Sequence, residues 1–327
     1  MTAQTVVVAG ASGFVGRHLV DRLQTDGLTV RCGTRNTRRA AAVRPGFNWV
    51  ELDVDEDDTL DRAFEGADAL VFLVHRMRDA GAHLADAEEA AAERVLRCAE
   101  NAGISRIVYL GGPAPEGGSQ DKRTSEHLRA RLRTGEVLRS SPDISTIELR
   151  AGMVIGAGSE SWLIVRDLAL RLPVMVLPSW LKNRSQPIWV GDVVDAIAHA
   201  LRNPRTDSAA FDLPGPETLT ARQILERVAA SRGIRPLMIP IPVLTPGLSS
   251  HWIRLVSRAD YDIAKRLVHG LTEDLVADGR GYWDEMPERV PVSLDDAIER
   301  ALAAEKKLGG AAAFWENLAG SLALRSR

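Results

Sequence analysis

Lysine, tyrosine and cysteine are scarce in this sequence, and positive charge is not in excess. The 327 residues include five lysines, three tyrosines and two cysteines. The 41 Lys and Arg residues stand against 44 Asp and Glu, which gives a formal net charge of -3. No net positive field is therefore available to hold a polyphosphate chain, and we expect no nucleic-acid partner.

The sequence also gives no indication of disulfides, metal clusters or membrane spans. Cys32 and Cys98 fall in a predicted strand and a predicted helix, which indicates buried reduced thiols. The most apolar later stretch, Pro236 to Leu248, holds four prolines and is too short and broken to cross a bilayer. The N-terminus enters a strand without the features of an export signal. We expect no metal, no membrane span and a cytoplasmic location.

The first half of the chain alternates short apolar runs with longer helical patterns. Such alternation predicts parallel strand pairing in a doubly wound α/β sheet. The predicted strands are Thr5 to Ala9, Thr29 to Gly33, Trp49 to Leu52, Ala69 to Val74, Arg106 to Leu110 and Ser145 to Leu149.

The second half is less regular. The segment Pro173 to Pro187 reads as irregular, and Ile188 to Leu201 with Ala210 to Leu213 reads as a return to the main sheet. From Thr220 the chain is predicted to be mostly helical. We expect a nucleotide-binding domain of residues 1–155 and 188–213 and a smaller substrate-binding domain of residues 156–187 and 214–327.

A glycine-rich turn lies between the first predicted strand and the first predicted helix. Glycine permits the tight bend, the close approach of the backbone to a pyrophosphate and the packing of helix on strand. The helix N-terminus then offers free N–H groups and a partial positive charge to the phosphates. We predict that this turn binds a dinucleotide through Gly10, Ser12, Gly13, Phe14, Val15 and Gly16.

Arginines, and no acid, follow the second predicted strand. An acidic residue there would bind the ribose 2′-hydroxyl of NAD, whereas Arg35 and Arg39 suit a 2′-phosphate. NADP(H) is therefore favoured over NAD(H), although the arginines could simply begin a solvated helix. Asp53 and Val54, after the third strand, are placed to contact the adenine, but Asp53 could equally cap the next turn.

Three later segments, with the glycine spacing, carry a family resemblance. They are Leu149 to Gly156, Val190 to Ala196 and Phe211 to Glu217. They resemble the short-chain dehydrogenase/reductase superfamily in its extended and atypical branches, and more loosely its NmrA-like members. The resemblance implies a doubly wound parallel-sheet Rossmann fold that binds NAD(P), with a smaller, mostly helical C-terminal substrate domain.

The catalytic Tyr-x-x-x-Lys pair of that superfamily is missing from its usual helix. The helix after the fifth strand instead carries His127 and Arg131 with the same spacing, and the loop before it has no serine. His127 can act as an acid at neutral pH, and Arg131 can hold a ribose but cannot release its proton. The alternative is that His127 is an ordinary polar helix residue. A literal Tyr261-x-x-x-Lys265 occurs far outside this context, and we interpret it as coincidence.

The fourth strand ends where open α/β sheets place their ligands. We therefore predict that Leu73, Val74 and His75 lie near the nicotinamide, with a hydrogen-bonded loop histidine as the alternative reading of His75. Tryptophans in the smaller domain, such as Trp162 and Trp189, suit either an aromatic substrate pocket or the core.

These features predict an NADPH-dependent oxidoreductase acting on a carbonyl, quinone or conjugated alkene of a small hydrophobic molecule. The missing Tyr and Lys keep a non-catalytic NADP(H)-binding sensor or scaffold open as the alternative. The helical pattern Ala311 to Leu324 would cover the cleft or a partner subunit, which leaves a homodimer open.

Overall fold

A computed structural model describes residues 4–75, 84–115, 124–172, 174–178, 182–241 and 274–307. The chain divides into two compact units, Met1–Arg150 with Gly191–Asp212, and Ala151–Val190 with Leu213–Arg327. The domain boundaries expected from the sequence were residues 155, 187 and 213. The substrate-binding role given to the second unit stays a prediction.

The first unit is built on a seven-stranded sheet in which every strand pairing is parallel. The strand order is β11-β6-β5-β4-β1-β2-β3, so the chain moves outwards first on one side of β1 and then on the other. The predicted doubly wound Rossmann fold is confirmed. The strands are β1 (Thr5–Ala9), β2 (Thr29–Thr34), β3 (Trp49–Glu51), β4 (Ala69–Phe72), β5 (Arg106–Gly111), β6 (Ser145–Arg150) and β11 (Ala209–Asp212).

Helices of the first unit follow the strands in alternation, as predicted. Because both faces of a parallel sheet are covered, the central strands are apolar throughout, and Val6, Val7 and Val8 are fully buried. Cys32 in β2 and Cys98 are buried free thiols, and burial raises the pKa of each to about 11. The helices are α1 (Phe14–Thr25), α2 (Thr37–Val43), α3 (Asp57–Phe64), α4 (Leu84–Asn101), α5 (Glu126–Leu138) and α7 (Val190–Ala200).

The second unit combines helices with three two-stranded sheets. Its core gathers Trp162, Ile224, Val228 and Ile298. A short 3₁₀ helix, Gly281–Asp284, precedes the last described helix. The other elements are β7 (Val154–Ile155), α6 (Glu160–Arg171), β8 (Val174–Pro178), β9 (Arg184–Ser185), β10 (Ile188–Trp189), β12 (Leu219–Thr220), α8 (Ala221–Ala230), β13 (Leu237–Ile241) and α9 (Leu294–Lys307).

Two expectations about the later chain were wrong, and one strand was not predicted. The segment Pro173 to Pro187 is not irregular, since it contains β8 and β9. The strand at Ile188 does not return to the main sheet but pairs with β7, and β11 alone makes the return, beside β6. The proline-rich stretch after α8 includes β13, which pairs with β8. Both strands of a two-stranded sheet are edges, and an edge tolerates proline.

Candidate functional site

The glycine-rich turn joins β1 to α1 with a backbone that other residues would not adopt. Gly10 has φ +88°, in the left-handed region that favours glycine. Its carbonyl oxygen accepts a hydrogen bond of 2.9 Å from the Gly13 amide, which closes the bend. The turn also contacts the end of β2, because the Ala11 amide donates to the Gly33 carbonyl at 3.3 Å.

A side chain at Gly16 would collide with backbone, and side chains at Gly10 and Gly13 would be crowded. A Cβ on Gly16 would lie 2.3 Å from the Gly10 carbonyl oxygen and 2.7 Å from the Ala11 Cα. A Cβ on Gly10 would lie 3.3 Å from Leu73, just after β4. The turn therefore occupies the point between β1 and β4 where the strand order reverses, which is where such sheets bind ligands.

The N-terminus of α1 is suited to an anion. Gly13 is its N-cap and provides no side-chain hydrogen bond, and the first turn contains no acidic residue. Ser12 and Gly13 are exposed, whereas Phe14 and Val15 are half-buried. The glycine cradle and uncapped helix start fit the diphosphate of a dinucleotide.

The arginines after β2 lie close to this turn in the chain's fold. Ser12 Oγ is 3.4 Å from Thr34 Oγ1, and Arg35 directly follows as an exposed residue. The Asn36 side chain accepts a hydrogen bond of 3.0 Å from the Arg39 amide and so caps α2. The interpretation that a helix starts among these arginines is thus correct. The phosphate-binding role of Arg35 and Arg39 stays a prediction.

Asp53 has the structural role that was the alternative at the sequence level. Its Oδ1 accepts a hydrogen bond of 3.1 Å from the Asp55 amide, and its own amide donates to Thr59 Oγ1 at 2.9 Å. The neighbouring Val54 is buried, and its carbonyl accepts a hydrogen bond from Arg94. Contact of Asp53 and Val54 with an adenine stays a prediction.

His75, three residues after β4, is held between two neighbouring elements. Its Nε2 lies 3.1 Å from the Leu110 carbonyl oxygen of β5 and 3.2 Å from Nη2 of Arg131 on α5. Burial, with the positive charges of Arg131 and His127 close by, holds the pKa of His75 well below its usual value. His75 is therefore neutral at physiological pH.

The position of His75 Nε2 is shared between two partners of opposite kind. Nη2 of Arg131 donates to the Leu110 carbonyl at 3.0 Å, and both groups border Nε2 of His75. A carbonyl only accepts and a guanidinium only donates, so Nε2 donates to Leu110 when it carries the proton and accepts from Arg131 when it does not.

Arg131, one of the predicted pair on α5, thus contacts the residues at the ends of β4 and β5. His127 and Arg131 are one helical turn apart, and both influence His75 electrostatically. The phenol of Tyr109 donates to the Arg131 carbonyl at 3.1 Å and fixes the middle of α5 to the sheet. The sequence predicted the pair and the strand end separately, but their contact spans 56 positions of the chain and has no local signal.

A buried carboxylate was missed by the sequence reasoning. Glu148 of β6 is fully buried and receives hydrogen bonds of 2.9 Å from Nε of Arg139 and from Nε of Arg150. Gly111 and Gly135 make room for it, since a Cβ on either would lie within 2.8 Å of a Glu148 oxygen. An acid between Ile147 and Leu149 in a predicted strand was the available signal.

Tryptophans of the second unit have core roles where they are described. Trp162 is fully buried, and its Nε1 donates to Glu305 Oε1 at 2.9 Å. Trp189 packs partly buried against the same core. Tyr261 and Lys265, together with Trp180 and Trp252, lie outside the described residues, as does the predicted helix Ala311 to Leu324.

Within the described ranges, no helix is both long and apolar enough to cross a membrane. In the same part of the chain, His, Cys, Asp and Glu residues form no group of three that could hold a metal ion.

Comparison with known proteins identifies related nucleotide-binding chains. Residues 10–155 match a family model described as NAD(P)H-binding. Ceramide reductase of Caulobacter vibrioides is 26% identical over 261 residues, which cover 77% of this chain and 79% of that protein. The mitochondrial NADH-ubiquinone oxidoreductase 40 kDa subunit of Neurospora crassa is 24% identical over 250 residues. That match covers 74% of this chain but 64% of the subunit, so the chain spans just under two thirds of its length.

A solved structure shares the fold over most of its length. The triphenylmethane reductase of Citrobacter sp., in complex with NADP(H), has a TM-score of 0.71 and 14% identity. The match covers 91% of this chain and 99% of that one.

Proposed function

We propose that this chain, whose residues 10–155 match an NAD(P)H-binding family, is an NADPH-dependent reductase of the short-chain dehydrogenase/reductase superfamily. Its substrate is a small hydrophobic molecule with a carbonyl, quinone or conjugated alkene. The observation that carries the proposal is the meeting of Arg131 with His75, beside His127, at the ends of β4 and β5. The chain thus brings groups that bind oxygen and move protons to the edge of the sheet that carries the glycine turn.

The residues divide the chemistry among them. NADPH, when bound, supplies a hydride, and the glycine turn and α1 hold its diphosphate. His127 is the proposed proton donor to the substrate oxygen, because an imidazole exchanges protons near neutral pH. His75 cannot share this role, since its pKa is lowered and its Nε2 is enclosed between Leu110 and Arg131. The sequence-level expectation that Arg131 holds the nicotinamide ribose stays a prediction.

A second candidate is a nucleotide-binding protein without turnover. The helix that usually carries Tyr and Lys here carries His127 and Arg131. Similarity to a subunit of a large respiratory complex also favours this candidate, since that subunit's name gives it no separate reaction. Both candidates bind NADP(H), so only turnover separates them.

Turnover is tested by adding a panel of quinones, enones and ketones to the protein with NADPH and following the loss of NADPH absorbance. We expect at least one compound to consume the cofactor. His127→Gln should lower kcat by about 10²-fold, because general-acid catalysis by a positioned side chain contributes about that much. His199→Gln, a histidine of α7, is the matched control and should keep the unmodified rate.

The outcomes separate the two candidates. If no compound in the panel consumes NADPH although the protein binds it, the non-catalytic candidate replaces the reductase. If turnover occurs and His127→Gln leaves kcat unchanged, the reductase stands and the proton donor has been misassigned.

Cofactor preference is expected to depend on Arg35. Arg35→Glu places a carboxylate where a 2′-phosphate would bind, so the affinity for NADPH should fall at least about tenfold while that for NADH is kept or improved. Calorimetric titration with each nucleotide measures the ratio. Arg62→Glu makes the same charge change at an exposed position on α3 and should leave the ratio unaltered. An equal ratio in all three proteins would remove Arg35 from the cofactor site.

A further inference from the structure

Arg131 is a fixed positive charge at the proposed site. Its Nη2 donates to the Leu110 carbonyl and lies 3.2 Å from Nε2 of His75, and both of these groups are uncharged. Within the described residues, its buried Nε has no acceptor, and no carboxylate lies within ion-pair distance of the guanidinium. The nearby arginines differ in this respect, since Arg133 pairs with Glu89 and Arg139 pairs with Glu148.

The position of this guanidinium is defined from several sides. Gly112, in the loop after β5, lies so close that a Cβ there would be 3.2 Å from both Cδ and Nε of Arg131. The Tyr109 phenol holds the backbone of the same residue. The side chain is nevertheless only half-buried, so part of it remains accessible to a ligand. A positioned donor near a site of reaction needs no reorganisation to stabilise charge there.

The groups packed around Arg131 do not release protons readily. Arg131 itself keeps its proton at any physiological pH. His75 is neutral, and its Nε2 lies 3.2 Å from the guanidinium. Burial raises the pKa of Tyr109, with Glu148 and Glu88 adding to the effect against the charge of Arg131, and its proton is donated to the Arg131 carbonyl. Of these three side chains, Arg131 alone carries a charge, and none of them is a ready proton donor.

We propose that Arg131 is a catalytic residue that stabilises negative charge on the substrate oxygen, and that the substrate is a conjugated carbonyl, an enone or a quinone. This inference rests on the proposed function and narrows its substrate class. NADPH provides two electrons and one hydrogen as hydride, and a new bond to hydrogen forms on the substrate. The electron pair of the conjugated π system moves to oxygen, which becomes an enolate or phenolate beside Arg131, and NADP⁺ remains. A proton from His127 or from water then neutralises the oxygen.

His75 is the positioning residue for this charge. Its Nε2 lies 3.2 Å from the Nη2 that donates to the Leu110 carbonyl, so the ring helps to fix the position of the guanidinium. His75 has no catalytic part of its own. Gln at position 75 keeps a polar group beside Arg131, whereas Leu removes it.

A phenol that changes its visible absorbance on ionisation tests the inference without turnover. We expect 4-nitrophenol, added to the protein with NADP⁺, to bind about tenfold more tightly as phenolate than as phenol. Its titration midpoint should then fall by about one pH unit on binding. Arg131→Gln should abolish the shift, and Arg131→Lys should keep part of it because the charge remains. Arg133→Gln, two positions along α5, is the matched control and should keep the whole shift.

Several results would overturn the inference. They are an unshifted midpoint in the unmodified protein, no detectable binding of the phenol, or an equal shift in Arg131→Gln. If Arg131→Gln does not fold, judged by circular dichroism, the comparison of His75→Gln with His75→Leu decides, because only the second should weaken the shift. Calorimetry with NADPH is run in parallel, since absence of nucleotide binding would contradict the proposed function and not the charge on Arg131.

Discussion

Gly16→Ala is expected to reduce NADPH affinity at least about tenfold, equivalent to about 1.4 kcal/mol, and to lower the thermal stability of the protein. The new Cβ would lie 2.3 Å from the Gly10 carbonyl oxygen and 2.7 Å from the Ala11 Cα. Both are backbone atoms, so no side-chain rotation relieves the collision. Either α1 moves away from β1 or the turn opens, and overpacking of this kind costs about 1–3 kcal/mol. Calorimetry with NADPH and thermal unfolding measure the two effects.

Two other glycines make this experiment a graded series. A Cβ on Gly13 would lie 3.1 Å from the Gly10 carbonyl oxygen, so Gly13→Ala should have a smaller effect than Gly16→Ala. A Cβ on Gly152 has its nearest neighbour at 4.0 Å, so Gly152→Ala should change neither affinity nor stability noticeably. Normal NADPH binding by a folded Gly16→Ala protein would show that the turn is not where the diphosphate binds.

The glycine turn was predictable because its requirements are local. Gly10, Gly13 and Gly16 are needed for one bend and one helix start, and their spacing between a strand and a helix is visible in the sequence. The alternation of strands and helices likewise predicted parallel pairing of the strands, since the pattern repeats with each crossover. A helix at the position of α2 was predicted only as the alternative to a phosphate site. Its N-cap Asn36 stands among the arginines that were interpreted as binding the 2′-phosphate.

The contacts of the candidate site could not be predicted in the same way. His75 and Arg131 each carried a plausible role, but their hydrogen bond depends on β4 and β5 being neighbours and on where α5 packs. That contact matters for the chemistry of both residues. The lowered pKa keeps His75 neutral, so it is not an acid, and Arg131 is held in place as a positive charge. Strands β8 and β13 were missed for a related reason, since their pairing joins segments over 60 positions apart.

Glu148 belongs to a buried polar group that no local pattern announces. The strand β6 reads Ser-Thr-Ile-Glu-Leu-Arg, and nothing in it shows that Arg139, at the end of α5, reaches the same carboxylate as Arg150. Glu148 has no exposed surface, and the side chains of Arg139 and Arg150 are only 24% and 20% exposed. An ion group this deep contributes stability only while it is complete, because each remaining charge has lost its water.

Glu148→Gln is expected to destabilise the protein by about 3–5 kcal/mol, the usual cost of breaking a buried ion pair from one side. The amide keeps the shape but removes the negative charge, and its NH₂ group meets the guanidinium donors of Arg139 or Arg150. We expect a fall of about 10 °C in the midpoint of thermal unfolding. Glu51→Gln is the matched control in the same unit, since its pair with Arg62 is exposed and should contribute less than about 1 kcal/mol.

A second substitution tests whether the Glu148 side chain fills the space beside Gly135. Gly135→Ala would bring a Cβ to 2.4 Å from Glu148 Oε2, so it should be destabilising alone. Glu148→Ala removes the atoms it meets, and the two changes together should therefore cost less than the sum of their separate effects. Additive losses, or a Glu148→Gln protein as stable as Glu51→Gln, would mean that this group neither fills the space under α5 nor holds the helix to the sheet. In that case the position of Arg131, one turn before Gly135 on the same helix, would depend on its own contacts with Leu110, Tyr109 and His75.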